Sequence, residues 1–262
     1  MKKQLLVLFL VCVLAAVGCN KNTNEVSLSP EDRGTDKEMY ERALNYIKRD
    51  PEKARLLFKE VMQVYPASIY AKKSKIGIAD SYFKEKDAGA LIVASTEYQE
   101  YVNLYPQSPD AVYAKFQIGM CYYSQMKSPG RDQTNTFTLI TAFESLIKQY
   151  PGTEESEEAK KKITEARQNL ATHYFKIGYY NYKYKAYQGA ISRFKQVLDD
   201  YPDFEENDKL FYYTGKAYSA LKNYDSAKSF YQQILTIYPK SKYANKATSL
   251  IKKIDSTLKK LD

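Results

Sequence analysis

Apolar residues along this chain recur at spacings of three and four, and the two-residue alternation of a half-buried strand is scarce. Phe194, Val197 and Leu198 form one such stripe, and Phe230, Ile234, Leu235 and Ile237 another. Five of these helical stretches close on a Tyr-Pro dipeptide: Tyr65-Pro66, Tyr105-Pro106, Tyr150-Pro151, Tyr201-Pro202 and Tyr238-Pro239. Proline lacks an N–H and bars the residue before it from the helical region, so each dipeptide predicts a helix end. The prolines stand 40, 45, 51 and 37 residues apart, the recurrence of a helical repeat array.

The last two repeats share their internal spacing. Phe211, Gly215, Tyr218, Ala227 and Tyr231 precede Pro239 at the offsets at which Tyr174, Gly178, Asn181, Ala190 and Phe194 precede Pro202. The small residues predict close approach of the two helices of one hairpin, and the aromatics predict filling between neighbouring hairpins. Ala54 and Phe58, Ala94 and Tyr98, and Leu139 and Phe143 keep the second-helix positions in the first three repeats. Gly119 and Tyr122 lie eight residues further from their proline than their counterparts in the last repeat, and the excess falls in 127–135, around the turn signal Ser128-Pro129-Gly130. This pattern resembles the tetratricopeptide repeat, with Asn181 departing from its usual aromatic. The expected fold is all-α: a tetratricopeptide-like right-handed solenoid of five helix pairs, with a lysine-rich helix at about 242–261 covering its end.

Lys2 and Lys3 precede an apolar run, 5–17, that is short for a membrane span and ends in Ala16-Val17-Gly18-Cys19. Residues 1–18 resemble a bacterial lipoprotein signal, with Ala16 where leucine is usual, and Cys19 is then the lipidated first residue of the mature chain. Ordinary secretory cleavage after the small residues Ala16 and Gly18 is the other reading. Residues 19–36 read as a polar tether and 37–262 as the repeat domain. Asn20, rather than aspartate, points by the same resemblance to the outer membrane.

The formal charge of +9 falls to +7 once the leader is removed. The lysines are spread, as in Lys160-Lys161-Lys162 and Lys252-Lys253, which suits solvated helix faces better than a nucleic-acid site. Glu154, Glu155, Glu157 and Glu158 sit where a helix dipole favours acids. Cys121, alone in the mature repeat domain and flanked by Met120 and Tyr122, reads as a buried helix position. His173 is the only histidine, which excludes a histidine-based zinc site and leaves a catalytic triad a single, helix-borne option. With no phosphate-binding glycine loop and no Gly-x-Ser-x-Gly, the chain reads as neither an enzyme nor a cofactor binder. Trp is absent and 26 tyrosines are present; Tyr179, Tyr180, Tyr182 and Tyr184 crowd one helix end, so some must face outward, either as binding surface or as ordinary helix surface.

The segment 131–202 carries Arg131-Asp132-Gln133-Thr134, Ala142-Phe143, Tyr150-Pro151-Gly152-Thr153, Leu170-Ala171-Thr172-His173, Gly178-Tyr179-Tyr180, Ala190-Ile191-Ser192-Arg193-Phe194 and Tyr201-Pro202. This order resembles the BamD family (YfiO or ComL) of outer-membrane assembly lipoproteins, whose extended helix the 51-residue gap matches. Tyr174 stands where that family commonly has glutamate, and Asn181 where an aromatic is frequent. The resemblance implies a non-catalytic part of the β-barrel assembly machinery, lipid-anchored on the periplasmic face of the outer membrane. Its C-terminal repeats would dock the POTRA region of a BamA-like barrel protein, and its N-terminal repeats would offer a groove to unfolded outer-membrane proteins. Arg193 matches the family's arginine before phenylalanine and suits a bidentate contact to a partner carboxylate; an internal pair with Asp199 or Asp200 is the other reading. Tyr180 is a second partner contact, and Arg131 and Asp132 read as bracing the insertion loop. An adaptor of another envelope system, of Tol-Pal type, is the alternative, although no coiled-coil segment precedes the repeats.

Overall fold

The computed structural model describes residues 34–260. All regular structure among them is helical: α1 (Asp36–Tyr46), α2 (Pro51–Val64), α3 (Ile69–Glu85), α4 (Ala88–Leu104), α5 (Ala111–Ser124), α6 (Thr134–Gln149), α7 (Glu154–Lys183), α8 (Tyr187–Asp200), α9 (Asn207–Ala220), α10 (Tyr224–Ile237) and α11 (Ala244–Leu258). The first ten form five consecutive hairpins of an A helix and a B helix, and α11 packs on α10 at the end of the stack. This is the expected tetratricopeptide-type solenoid. The leader, Cys19 and most of the tether lie outside the described residues. The Gly34 carbonyl accepts from the Tyr65 hydroxyl (2.8 Å), and Thr35 and Glu38 form a capping box on α1.

Every B helix ends in the same way. Tyr65, Tyr105, Tyr150, Tyr201 and Tyr238 adopt φ of −125° to −134° with ψ of 54° to 62°. Each still donates its N–H to the carbonyl four residues back, at 2.8–3.0 Å. The proline then stops the helix, and a hydroxyl residue follows three positions after the tyrosine in four cases: Ser68, Ser108, Thr153 and Ser241. Ser68, Ser108 and Ser241 donate their N–H to the tyrosine carbonyl at 2.9–3.0 Å, while Thr153 reaches the Tyr150 carbonyl through its side chain. Ser68 and Thr153 also cap the next A helix. One short motif thus ends a hairpin and starts its neighbour.

The glycines seat rings. A Cβ on Gly119 would lie 2.2 Å from Phe143, on Gly178 2.6 Å from Phe194, and on Gly215 2.6 Å from Tyr231. In these three hairpins the aromatic therefore fills the space within its own hairpin, not the expected space between hairpins. Phe58 alone crosses, lying over Gly77 of the next A helix, where a Cβ would come within 2.5 Å. The second hairpin carries Tyr82 where the last has glycine, and Tyr98 there sends its hydroxyl to Asp80 instead. Ala54, Ala94, Leu139, Ala190 and Ala227 are all fully buried, so the leucine fills the third hairpin's version of the alanine site. Cys121 is fully buried and burial pushes its thiol up to about 12, which makes it an inert packing residue.

The turns inside hairpins two, four and five place Lys86, Lys185 and Lys222 at φ of 61°, 62° and 61°. A side chain in this left-handed region is strained by roughly 1–2 kcal/mol. Lys222→Gly should therefore raise stability by about 1 kcal/mol in urea titration. Gly215→Ala should lower it by about 1–3 kcal/mol through the collision with Tyr231. Gly130→Ala, with open space around it, should change it by less than about 0.5 kcal/mol.

Candidate functional site

The 30-residue helix α7 organises the segment 131–202. Thr153 caps it, accepting from the Ser156 N–H, and Glu154, Glu155 and Glu157 occupy its first turn. It packs against α5, α6, α8 and α9, so it splints three hairpins together. Its polar side chains fasten the loops on either side. Asn169 Nδ2 donates to the Lys127 carbonyl (2.8 Å), and His173 Nδ1 donates to the Pro129 carbonyl (2.7 Å), which fixes the proton on that nitrogen. Arg167 Nη2 donates to the Asp200 carbonyl (2.7 Å), and Gln168 bonds the Asp203 carbonyl and the Glu205 N–H at 2.7 and 3.0 Å. Tyr174 stacks on Tyr201, rings 6.0 Å apart.

The insertion loop is braced by residues other than the expected pair. Arg131 and Asp132 are exposed, and Asp132 accepts from the Thr134 N–H and hydroxyl at the start of α6. The buried Gln133 ties the loop to itself, donating to the carbonyls of Ser128 and Arg131 and accepting from Thr136. The hold from outside comes from Asn169 and His173.

Arg193 is exposed on α8. Its Nη1 donates to Gln196 Oε1 (2.7 Å), and its guanidinium lies 5.9 Å from the centre of the Tyr174 ring. Among the described residues neither Asp199 nor Asp200 pairs with it, so the internal carboxylate pair is not formed. Tyr180 is 60% exposed and packs on Tyr184, itself 70% exposed, with rings 4.4 Å apart. Tyr180 stands two residues beyond Gly178, roughly 200° round the helix. The Gly178 face is the one against Arg193, so the two expected contacts belong to different faces.

A helices of adjoining hairpins touch at α1–α3, α5–α7 and α7–α9, whereas no pair of B helices approaches comparably. Side chains of the A helices gather in two places, one towards each end of the stack. Towards the C-terminus, Tyr179 and Tyr182 meet Tyr213 edge-on at 4.8 and 5.5 Å, and Tyr212 stacks on Tyr243 at 4.7 Å. Lys209 covers Phe175 at 4.8 Å, and Lys216 lies between Tyr182 and Tyr212 at 5.6 and 5.7 Å.

Towards the N-terminus, α1, α3 and α5 border a half-open cleft of about 460 Å³. Leu44, Ile47, Phe83 and Tyr113 give it apolar walls, and Lys48, Lys84, Asp80 and Gln117 also line it. Tyr98 and Tyr113 both donate to Asp80 Oδ1, at 2.5 and 2.9 Å. Burial raises the Asp80 carboxyl above its ordinary value, and the two phenols and Lys84 oppose that shift. Burial likewise raises both phenols. Sequence reasoning missed this site. Its available signal was a lone acid, Asp80, inside the apolar run from Ile76 to Phe83.

Stacked helical hairpins of this kind define a helical repeat protein of tetratricopeptide type. Residues 32–232 match the YfiO family, described as outer membrane lipoprotein, and the chain belongs to that family. The match includes the segment 131–202. Similar curated proteins are outer membrane protein assembly factors BamD. That of Rickettsia prowazekii is 30% identical over 58% of this chain and 61% of its own length. That of Caulobacter vibrioides is 26% identical over 65% and 55%, and that of Neisseria gonorrhoeae 21% over 94% and 95%. The chain thus spans little more than half the length of the first two. Among solved structures, the TPR2AB–pHSP90 complex of yeast Sti1 aligns with a TM-score of 0.43 at 13% identity, covering 87% of this chain and 88% of that one. A thermophilic TPR protein of Thermus thermophilus aligns with 0.33 at 12%, covering 84% and 98%.

The raised Asp80 carboxyl has a stability consequence. Its folded value lies above the unfolded 3.8, so the native state holds this proton more tightly, and the residue's contribution falls as pH rises from that value through the folded one. Asp80→Asn keeps an acceptor for both phenols and removes the charge. It should melt with wild type at about pH 3 and above it at about pH 7, as thermal unfolding at the two values would read.

Proposed function

We propose that this chain is a non-catalytic scaffold for assembling β-barrel proteins into the outer membrane. The observation that carries the reading is the family match over 32–232, together with relatives named as assembly factors. In this reading residues 1–18 are the lipoprotein signal, Cys19 carries the lipid, 19–36 form the tether and 37–262 the repeat domain on the periplasmic face. The C-terminal hairpins dock the POTRA region of a BamA-like barrel protein, and the N-terminal hairpins receive unfolded outer-membrane protein segments.

Chemistry supports this division. Among the described residues, the exposed Arg193 is engaged only by a neutral glutamine and a ring, so its charge remains available to a partner carboxylate. The exposed pair Tyr180 and Tyr184 offers amphipathic contact area on another face. A lipid and a protein partner, each weak alone, hold together far more tightly when both engage.

The test is affinity capture of the tagged, full-length lipoprotein from detergent-solubilised envelopes, with mass spectrometry of what accompanies it. A POTRA-bearing barrel protein should be recovered in near-equal amount, and Arg193→Ala should reduce that recovery roughly tenfold. Cys19→Ser should release the chain from the membrane fraction. Recovery of Tol-Pal components with no barrel protein would overturn the reading.

A further inference from the structure

The joints between hairpins lie along one edge of the stack, and the described chain starts at that edge. The Tyr65 hydroxyl holds the Gly34 carbonyl, and the Ser68 hydroxyl bonds Asp36 at the start of α1. Helix α3 starts at this edge and α4 ends there, because the two run antiparallel about a short turn at 86–87. Lys72 Nζ, about one turn into α3, lies 5.5 Å from the centre of the Tyr105 ring, which places the two ends side by side. Ile69 and Leu104 stand at these ends, each 62% exposed. Lys72 is exposed and Lys73 half-buried, and among the described residues neither forms an ion pair. The acids at this end are engaged or partly covered: Glu100 pairs with Lys75, Asp36 accepts from Ser68, and Asp110 is half-buried.

Composition changes along the edge. The residue before the tyrosine is Val64 at the first joint and Leu104 at the second, but Gln149 and Asp200 at the third and fourth. Glu154, Glu155 and Glu157 follow the third joint, and Asp203, Glu205 and Glu206 the fourth. The opposite end of the second hairpin, 84–88, carries no large apolar side chain.

We propose that the joint edge of the first two hairpins rests on the surface of the bilayer, with Ile69 and Leu104 in the headgroup layer and Lys72 and Lys73 on anionic lipid phosphates. The inference deepens the scaffold reading, since it rests on Cys19 carrying the lipid. Residues 19 to 34, even fully extended, reach at most about 50 Å, so the lipid is delivered to the edge at which Gly34 is held. No described helix is long and apolar enough to cross a membrane, so the contact is with the surface. Exposed apolar side chains beside lysines suit that layer, where lysine stems lie along apolar surface and their ammonium groups reach phosphate. Each contact is weak, and the lipid makes them effectively intramolecular. The acidic third and fourth joints are repelled by the same anionic surface, so the stack rises from the membrane at its N-terminal end and holds its C-terminal hairpins in the aqueous phase.

The two ends of α4 supply the test, because its 17 residues separate them by about 25 Å. A fluorophore is placed on the full mature lipoprotein at Leu104→Cys or at Ala88→Cys, both exposed positions, while Cys121 is buried and Cys19 carries the lipid. The protein is reconstituted into mixed phosphatidylcholine–phosphatidylglycerol vesicles that contain a lipid spin-labelled near the headgroup. Quenching at position 104 should exceed that at 88 by roughly threefold or more. A label at Ile237→Cys, the matching position of the last joint and 54% exposed in the native chain, should stay at the level of position 88. Lys72→Glu with Lys73→Glu, or vesicles of phosphatidylcholine alone, should bring position 104 down towards that level, and Ile69→Glu should do so in both kinds of vesicle. Equal quenching at 104 and 88 in protein that floats with the vesicles overturns the inference and leaves lipid anchoring intact. Quenching at 104 that survives both the charge reversal and Ile69→Glu also overturns it, because the tether alone then brings the edge close. Failure of the protein to float removes the anchor, and the inference falls with it.

Discussion

The clash between a proline ring and the backbone before it ends all five B helices, and the rest of the solenoid is registered on those ends. The tyrosine ahead of each proline is driven to nearly one φ, ψ pair, so the chain leaves every hairpin in the same direction. The carbonyl that the helix can no longer use is taken by a following residue, usually Ser or Thr, and Ser68 and Thr153 begin the next A helix as its caps. In a repeat array each unit packs only on its neighbours, and here the same short joint links every hairpin to the next.

The ring-on-glycine contacts then set how closely the two helices of a hairpin approach. Where the glycine is present, as at Gly119, Gly178 and Gly215, the partner ring occupies the volume of a missing side chain. Hairpins one and two lack it at that position, and their packing differs accordingly. Phe58 reaches forward to Gly77, and Tyr98 turns its hydroxyl to Asp80. The cleft lies at that irregularity. A regular hairpin would place a ring on a glycine and have no need of a buried acid.

The long helix α7 joins the two halves. Each polar fastening it makes, from Arg167, Gln168, Asn169 and His173, contributes only about 1 kcal/mol net. Together they fix an insertion loop and an interhairpin connection to one rigid rod. That leaves its outward residues, Tyr180 and Tyr184, and the neighbouring Arg193 on a firm support.

The helices, their five ends, the pairing into hairpins and the burial of Ala54, Phe143, Cys121 and Tyr231 were legible in the order of residues. These follow from steric rules acting over a few residues and from apolar spacing along one helix. Packing between helices was needed to show that Gln133, Asn169 and His173 brace the insertion loop while Arg131 and Asp132 face solvent. It also separated Arg193 and Tyr180 onto different faces, and brought Asp80, Tyr98 and Tyr113 together. Apart from those of Gln133, which are local, the contacts involved join residues 18 to 44 positions apart, and each depends on which side chains of different elements share one space. The spacing of residues along a helix fixes a direction around its axis but not what the neighbouring helix brings to that side.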